Sequence, residues 1–166
     1  MALLTGGGTD SYILFELAGT TYALRSDDIM QLEMVGRLTP VPNAPPFVEG
    51  VVSVRGQVIP AMNLRARFGF PSVPYDVRSR LIIVQAQQHT QRRTVGLLVD
   101  SAREFATIPP DSILPPPDGV AGTSGPYLRG LAHLGDRLVL VLDVLELLDV
   151  RIHPMLPAAD AAPASA

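Results

Sequence analysis

Short apolar runs separated by Gly and Pro follow one another along most of the chain. Runs of this kind, bounded by turn-forming residues, are typical of β-strands. Ala18-Gly19 and Arg55-Gly56 stand between successive runs, where a residue that can adopt a positive φ closes a β-hairpin. The predicted strands form two series of five: 12–17, 20–24, 29–34, 50–54 and 57–61, followed by 80–86, 94–99, 103–108, 128–134 and 137–142.

Two segments have the spacing of a helix instead. In 63–69, Leu64 and Phe68 are four positions apart and a Gly follows directly, which predicts a short helix after the last hairpin of the first series. In 143–149, DVLELLD, the apolar residues recur on one side of a helical turn. We expect this second helix to cap the end of the folded part.

The two series are similar to each other in sequence. The segment 50–64, GVVSVRGQVIPAMNL, aligns without a gap with 130–144, GLAHLGDRLVLVLDV. Two upstream matches support this alignment: LTPVP at 38–42 with ILPPP at 113–117, and ALRSDDIMQL at 23–32 with LLVDSAREF at 97–105. Internal repetition indicates two related units. We therefore predict an all-β fold, in which two pseudo-repeated five-stranded barrels of the SH3-like type pack side by side with a binding groove between them.

The composition is that of a folded domain with few charges. Apolar residues make up 47% of the chain and charged residues 17%, so a globular core is expected. The net charge is −3, and the 13 basic residues are all Arg and scattered, which argues against nucleic acid as a partner. The chain has no Cys, which excludes disulfides and thiolate metal sites and suits the reducing cytoplasm.

Neither end of the chain predicts a targeting or membrane segment. MALLTGGGTD lacks the basic and apolar regions of a secretory signal. The most apolar stretch is interrupted by Asp143 and Glu146, so we expect no direct membrane insertion. We predict a flexible N-terminus at 1–11, a folded domain at 12–150 and a disordered Ala/Pro-rich tail at 151–166.

The sequence has few motifs that predict catalysis or cofactor binding. Without Lys it cannot form a P-loop. His89, His133 and His153 are far apart and have no carboxylate at ligand spacing, so no metal site is predicted. The GTSG at 122–125 lacks the pattern of a nucleophile elbow and is interpreted as a flexible connector. No cofactor is expected.

One segment leaves an enzymatic alternative open. LLVDSA at 97–102 approaches the signature of aspartic proteases, in which two carboxylates share a proton, and makes Asp100 the candidate catalytic residue. Ala102 stands where that signature requires Gly, and the second carboxylate would be Asp27 or Asp28 of the other repeat. Because an Asp at a strand end more often satisfies a turn, the protease is the remote alternative.

Three segments, in this order along the chain, resemble the CheW family of chemotaxis coupling proteins. They are GVVSVRGQVIPAMNLRARFG at 50–69, GLLVD at 96–100 and YLRGLAHLGDRLVLVLDVLELL at 127–148. The resemblance covers about 12–149 and implies two five-stranded β-barrels with a hydrophobic interface and no catalysis. It also implies a scaffold of two-component signalling. Such a scaffold joins the cytoplasmic tip of methyl-accepting chemotaxis receptors to the regulatory domain of a CheA-type histidine kinase, in receptor arrays at the inner face of the membrane.

Two positions depart from the family pattern. At Met30-Gln31-Leu32 a neutral Gln stands where the family usually has Glu, and Asn63 replaces the Asp that the family favours before Leu-Arg. Asn63 keeps a side-chain oxygen that can cap the following helix. The loss of two carboxylates near the expected binding face leaves a second function open, as the adaptor of a type IV pilus, gliding or other non-flagellar chemosensory system.

Three polar residues are candidates for partner binding. Arg55 lies at the Arg-Gly turn, and the resemblance implies that its planar head anchors a carboxylate or carbonyl of the partner. The alternative is that Arg55 only solvates the hairpin tip or pairs with Glu49. Gln31 and Glu49 are polar positions at strand ends that can face either a partner or solvent.

Four further candidates carry no polar side chain. Ile29, Val54 and Leu131 are apolar strand residues, which either belong to the core or line the docking groove. Gly50 belongs to the same candidate surface, although turn geometry alone is a sufficient reason for Gly there.

Overall fold

The computed structural model describes residues 11–88, 90–117 and 127–149 and folds them into ten strands and two short α-helices. The strands are β1 (Ser11–Leu17), β2 (Thr20–Arg25), β3 (Ile29–Met34), β4 (Val48–Val54), β5 (Gln57–Asn63), β6 (Arg80–Gln88), β7 (Gln91–Val99), β8 (Ser101–Thr107), β9 (Leu128–Leu134) and β10 (Arg137–Leu142). The helices are α1 (Leu64–Arg67) and α2 (Val144–Leu148). All ten predicted strands and both predicted helices are confirmed, with small shifts at their ends.

Some of the sequence-based predictions concern residues outside this description. They are His89, His153, the connector at 122–125, the N-terminus before Ser11 and the tail at 151–166. Ser11 itself opens β1. Within the described ranges, no helix has the length and apolar character needed to cross a bilayer.

Both predicted hairpin turns are confirmed. Ala18 and Gly19 have φ values of 50° and 83°, and Arg55 and Gly56 have values of 52° and 80°. Positive φ at both central residues of a two-residue loop matches the right-handed twist of the flanking strands. The turns therefore fix the registers of β1–β2 and β4–β5.

The strands form two five-stranded sheets, as predicted, but the sheets are not the two halves of the chain. Sheet A has the order β8-β1-β2-β10-β9 and sheet B the order β3-β6-β7-β5-β4, so each takes strands from both series. The strands at corresponding positions of the two sheets differ by five in number, so each strand of one series occupies the place of its counterpart in the other series. The two repeats are thus equivalent in topology, and they have exchanged strands. Local patterns identify a strand without specifying its distant partner, which is why the sequence suggested consecutive barrels.

Each sheet curls until the chain beyond one edge strand meets the other edge. Beyond β3, Thr39 forms an isolated bridge with Val51 on β4, and beyond β8, Leu114 forms one with Leu131 on β9. Both bridges consist of two backbone hydrogen bonds, of 2.8 and 2.9 Å in the first and 2.8 Å in the second. These bridges lie in the matching LTPVP and ILPPP segments, so each predicted barrel is closed by one bridge and not by a complete ladder.

Gly50 and Gly130 lie in the same position of the two repeats, beside these bridges. A Cβ on Gly50 would be 2.2 Å from the carbonyl oxygen of Thr39, and a Cβ on Gly130 would be 2.5 Å from that of Leu114. Gly50 also has a φ of +155°. Because no side chain fits in either place, the close backbone approach that closes each barrel requires Gly.

The core consists of one hydrophobic cluster inside each barrel and a larger cluster between them. The inner clusters contain Tyr12, Leu14, Ala23, Ile108, Ala132, Val139 and Val141 in sheet A, and Ile59, Ala61, Leu81, Ile83 and Leu98 in sheet B. The inter-sheet core joins the outer faces of both sheets and both helices, and it includes a run of aromatic rings with centroids 5.5–5.7 Å apart: Phe15, Tyr22, Phe68 and Tyr127. The two barrels are therefore packed against each other as one unit.

A side chain caps each helix at the same repeat position. Asn63 Oδ1 accepts a hydrogen bond from Ala66 N at 3.1 Å, which confirms the predicted cap of α1. Asp143 Oδ1 accepts hydrogen bonds from Leu145 N at 3.0 Å and Glu146 N at 3.4 Å. Both caps satisfy N–H groups that a helix start leaves without intrahelical partners.

Candidate partner-binding surface

The outer side of the β4–β5 hairpin is an exposed apolar surface. Val51 lies opposite Pro60, and Ser53 lies opposite Val58. Val58 is 66% exposed, although Val is usually buried. The hairpin tip places Arg55 at the end of this surface. We call these five residues the β4–β5 face.

The second repeat has a corresponding surface on the β9–β10 hairpin. Leu131 lies opposite Leu140, and His133 lies opposite Leu138. Across the barrel-closing bridge, Leu114 extends the surface, and Leu114 and Leu138 are 55% and 48% exposed. We call these five residues the β9–β10 face. Contiguous exposed apolar residues with polar neighbours are typical of protein-binding sites.

Arg55 is exposed, and no carboxylate of the described residues pairs with it. The predicted alternative partner, Glu49, has other contacts: its Oε2 accepts hydrogen bonds from Asn63 Nδ2 at 2.7 Å and from the Tyr75 hydroxyl at 3.2 Å. Burial and the adjacent Glu49 carboxylate raise the pKa of Tyr75. The Arg55 head is thus available to an external acceptor, whereas Glu49 is part of a partly buried hydrogen-bond network.

The remaining candidates occupy different places. Leu131 is half-buried on the β9–β10 face, and its role in docking stays a prediction. Val54 packs against the inner cluster of sheet B and Ile29 against the inter-sheet core, so the core interpretation applies to both. Gly50 is buried at the barrel-closing bridge, where the backbone of Thr39 accounts for it.

Gln31 is half-buried and faces the same side of sheet B as Ile83, its neighbour across the strand pair. Its Nε2 donates a hydrogen bond to Oε2 of Glu33. Glu33 therefore supplies a carboxylate two positions from the neutral Gln31. The sequence comparison missed this replacement because it considered the family position alone.

A cavity of about 190 Å³ opens beside the β4–β5 face. Its lining is mainly apolar and comes from the segment before β4, from β4, β5 and β7 and from the end of α2: Pro45, Phe47, Val48, Pro60, Met62, Arg93, Val95 and Leu148. Arg93 Nη1 donates a hydrogen bond of 3.1 Å to the carbonyl oxygen of Leu148 and so fixes the end of α2 at the rim. We call this space the β5–β7 cavity. It lies at the boundary between the two barrels, where a groove was predicted.

Arg67 is buried inside the inter-sheet core near this cavity. Its guanidinium lies 4.4 Å from the ring centroid of Phe47 and 5.1 Å from that of Tyr127. Nη2 donates a hydrogen bond of 3.1 Å to the carbonyl oxygen of Leu147. Burial lowers the pKa of Arg67, and the Asp149 carboxylate opposes that shift. Sequence reasoning missed this residue because an Arg in a four-residue helix normally points to solvent.

Asp100 has a structural role. Arg65 holds its carboxylate from two sides, with Nε 2.9 Å from Oδ1 and Nη2 2.7 Å from Oδ2, and Ala18 N donates to Oδ2 at 2.9 Å. These contacts tie the β1–β2 turn of sheet A to α1 and β7. Burial favours the neutral acid, but the hydrogen bonds from Arg65 and Ala18 outweigh it and lower the pKa of Asp100.

The carboxylate pair of an aspartic protease is not formed. Asp27 pairs with Arg25 at 2.9 Å. Among the described residues, the Asp100 carboxylate is hydrogen-bonded to Arg65 and to Ala18 N, and to neither Asp27 nor Asp28. A carboxylate that is held ionised by an Arg cannot share a proton with a second one, so the protease hypothesis is wrong.

Known proteins share this fold and are similar to this chain in sequence. Residues 11–151 match the family described as the CheW-like domain. The chain is 28% identical over 137 residues to the chemotaxis protein CheW of Klebsiella aerogenes, which covers 82% of this chain and 80% of that protein. It is 27% identical over 108 residues to protein FrzA of Myxococcus xanthus, with 65% of each chain covered. The crystal structure of the scaffolding protein TtCheW from Thermoanaerobacter tengcongensis superimposes with a TM-score of 0.75 at 30% identity, covering 85% of this chain and 93% of that one.

Proposed function

The chain belongs to the CheW-like domain family, whose members are non-enzymatic scaffolds, and we propose that it couples methyl-accepting chemoreceptors to a CheA-type histidine kinase. The observation that carries this proposal is the β4–β5 face, where exposed Val58 and Pro60 stand beside an Arg55 that no described carboxylate neutralises. Apolar area with a planar cationic anchor at its end is the composition of a protein-binding hot spot.

A coupling protein must hold two partners at once, and the two faces suit that requirement. The β4–β5 face belongs to sheet B and the β9–β10 face to sheet A, so they are separate surfaces built on equivalent hairpins. The regulatory domain of a CheA-type kinase is itself CheW-like, and a contact between equivalent hairpins of two such domains would be pseudo-symmetric. We assign one of these two surfaces to the kinase and the other to the receptor tip, and the proposal holds for either arrangement.

The adaptor acts by binding and performs no chemistry. It transmits the state of the receptor only if it binds or orients the kinase differently in the two receptor states, because equal affinity for both states shifts no population. No cofactor is required for this mechanism. We place the protein in the cytoplasm, recruited to receptor arrays at the inner face of the membrane.

Co-sedimentation with receptor-containing membranes and the kinase tests the proposal. The unmodified protein should pellet with the membranes and bring the kinase into a ternary complex. Arg55→Ala should weaken the affinity for one partner by about tenfold, as the loss of an interface Arg anchor does, without changing the melting temperature. Arg78→Ala is the matched control, since Arg78 is an exposed Arg on a different loop. Failure of the unmodified protein to bind either partner would refute the proposal.

A second candidate is the adaptor of a type IV pilus, gliding or other non-flagellar chemosensory system. The similarity to FrzA, a relative that is not named CheW, favours it. The departures at Gln31 and Asn63 do not, because the Glu33 carboxylate lies beside Gln31 and Asn63 is a buried helix cap bonded to Glu49. Deletion of the gene separates the two candidates. Loss of swimming chemotaxis with normal surface motility supports the first, and the reverse pattern supports the second.

A further inference from the structure

The end of the sheet B barrel that lies beside Glu49 is covered by a ring from the same chain. Tyr75, on the loop between α1 and β6, packs against the inner cluster of sheet B, to which Leu81 and Leu98 belong. Its hydroxyl donates a hydrogen bond of 3.2 Å to Oε2 of Glu49. An aromatic ring whose polar end is bonded to the rim therefore closes this end of the barrel.

The corresponding end of the sheet A barrel holds an open cavity of about 520 Å³, which we call the sheet A cavity. Its position follows from the strand registers. The pair Leu81–Leu98 faces across β6 and β7, and the pair Tyr12–Arg25 takes the same place across β1 and β2. The parallel pairs β5–β7 and β2–β10 fix this alignment, because β5 and β10 are equivalent strands. Tyr12 and Arg25 both line the cavity.

The charge at this end is reversed between the two barrels. The matched hairpins place Arg129 at the position of Glu49, so a cation stands where sheet B has the carboxylate that holds Tyr75. Arg25 adds a second cation where sheet B has Leu98. The rest of the lining consists of Tyr12 and three apolar residues between β8 and β9: Pro110, Ile113 and Pro115. The sheet A cavity therefore combines apolar walls with two guanidinium groups.

Both guanidinium groups already have a carboxylate partner. Arg25 Nη2 lies 2.9 Å from Asp27 Oδ2, and Arg129 Nη2 lies 3.7 Å from Asp143 Oδ2. The charges of both cations also act on the half-buried Asp28. Three carboxylates near two cations repel a dianion such as phosphate. A carboxylate with one charge can still bind, because each Arg head has five N–H donors and its Asp partner occupies only part of them.

We propose that the sheet A cavity binds a small aromatic carboxylate, with its ring on the apolar wall around Ile113 and its carboxylate on Arg25 and Arg129. The ring takes the role that Tyr75 has in sheet B, and the reversed charge selects an acceptor in place of a hydroxyl donor. A guanidinium binds carboxylates in its fork and also stacks on aromatic rings, so both parts of the ligand are recognised. A volume of about 520 Å³ lies within the range of small-molecule sites.

A ligand in this cavity lies beside one of the two proposed partner surfaces. Ile113 and Pro115 line the cavity and flank Leu114, which belongs to the β9–β10 face and bridges to Leu131. The β4–β5 face belongs to the other sheet. The inference goes beyond the proposed coupling function and does not depend on it.

Titration of the isotope-labelled full chain with benzoate, followed by NMR, tests the inference. Benzoate should shift the methyl signals of Ile113 and the backbone amide signal of Arg129. The expected dissociation constant is on the order of 1 mM, as for a ligand of this size in an open site. Benzyl alcohol lacks the charge, acetate lacks the ring and phenyl phosphate carries a second charge. Each of the three should bind about tenfold more weakly than benzoate, because it loses one of the features that the cavity recognises.

Two substitutions of Arg129 test the role of the cation. Arg129→Glu introduces the residue that sheet B has at this position and should abolish the benzoate shifts, whereas Arg129→Gln, which adds no charge, should weaken binding about tenfold. The matched control is Arg78→Glu, which makes the same charge change on the α1–β6 loop and should leave the dissociation constant unchanged. Because both Arg side chains are exposed, the variants should keep the amide spectrum of the folded protein.

Three outcomes would overturn the inference in the folded protein. They are equal affinity for benzyl alcohol or acetate, unchanged benzoate binding in both Arg129 variants, and shifts confined to residues away from the cavity. Absence of benzoate binding to the full chain would overturn it as well, since the cavity would then be closed or filled in solution. Co-sedimentation tests the coupling function separately, so failure of one proposal is distinguishable from failure of the other.

Discussion

The outer faces of the two sheets meet in one core, but they fill it with different side chains. Beside sheet A, Phe15, Tyr22, Phe68 and Tyr127 form a continuous run of ring contacts. On sheet B the positions equivalent to Tyr22 and Phe68 carry Val95 and Leu148, and a cavity opens beside the exposed β4–β5 face. Equal topology with unequal packing teaches that the two repeats fill the shared core differently: the aromatic side fills the space with ring contacts, and the aliphatic side leaves a cavity beside the exposed β4–β5 face.

The helices show the same division at the centre of the molecule. Arg67 and Leu147 stand at the same repeat position, and they contact each other through the Arg67 head and the Leu147 carbonyl. The two rings around that head, Phe47 and Tyr127, are also equivalent by repeat. Residues related by a pseudo-two-fold axis meet their own counterparts at the axis. One repeat thus provides a cation where the other provides an aliphatic chain and a backbone acceptor.

The largest expected effect tests the equivalence of the barrel-closing bridges. Gly50→Ala should lower the free energy of unfolding by about 4 kcal/mol and Gly130→Ala by about 2–3 kcal/mol, because both new Cβ atoms meet a carbonyl oxygen and Gly50 also has an unfavourable φ. Urea denaturation measures both. Gly36→Ala is the control, since a Cβ there has open space. If Gly50→Ala kept full stability and lost partner binding, Gly50 would be a contact residue after all.

The next effect concerns the asymmetry between Arg67 and Leu147. Arg67→Ala should cost about 3 kcal/mol, because it leaves a cavity between two rings and a buried carbonyl without its donor. Arg67→Met fills the same volume without a charge and should stay within about 1 kcal/mol of the unmodified protein, as apolar replacements of buried ions often do. Thermal and urea unfolding of both variants provide the comparison. An equal loss in both would mean that the cation itself holds the barrels together.

A smaller effect follows from exchanging residues between the two sides of the inter-sheet core. Phe68→Leu copies the sheet B residue into sheet A and should destabilise by about 1 kcal/mol, because it breaks two ring contacts in a filled region. Leu148→Phe adds a ring beside open space and should be neutral or stabilise by up to about 1 kcal/mol. Changes of opposite sign in the free energy of unfolding, measured in urea, would confirm the difference between the two sides of the inter-sheet core. Equal losses in both variants would contradict it.

The sequence predicts most of the local structure and little of its assembly. The strands, the hairpin turns and the Asn63 cap follow from patterns within a few residues of each position, and all are found in the structure. The exchange of strands was missed because two parallel pairs, β2–β10 and β5–β7, join segments far apart in the chain. The repeat could still be recognised, since equal spacing survives the exchange.

The candidate site was predicted less completely, for a related reason. Arg55 and Leu131 were found on exposed faces, whereas Ile29 and Val54 face cores, because alternation along a strand does not say which side of a sheet another sheet covers. The β5–β7 cavity depends on Val95 being equivalent to Tyr22. That equivalence can be recognised only from the registers of the parallel pairs, which the sequence does not provide.

The smallest effect distinguishes two acidic residues at equivalent turns, Asp28 after β2 and Asp100 after β7. Burial raises the pKa of Asp28, so its ionised form destabilises the fold, and this cost appears as pH rises above the ordinary value of 3.8. Hydrogen bonds from Arg65 and Ala18 lower the pKa of Asp100 against the effect of burial, so its stabilisation is present above 3.8 and is lost as pH falls through the lower folded-state pKa.

At neutral pH, Asp28→Asn should stabilise and Asp100→Asn should destabilise, each by about 1 kcal/mol or less, because both groups are partly solvated. As pH falls, the effect of Asp28→Asn should vanish below the ordinary value of 3.8, whereas the effect of Asp100→Asn should persist until pH falls through the lower folded-state pKa of Asp100. Urea unfolding between these limits measures the pair, and a shift of the same sign in both at neutral pH would show that the two turns do not differ in the way their surroundings indicate.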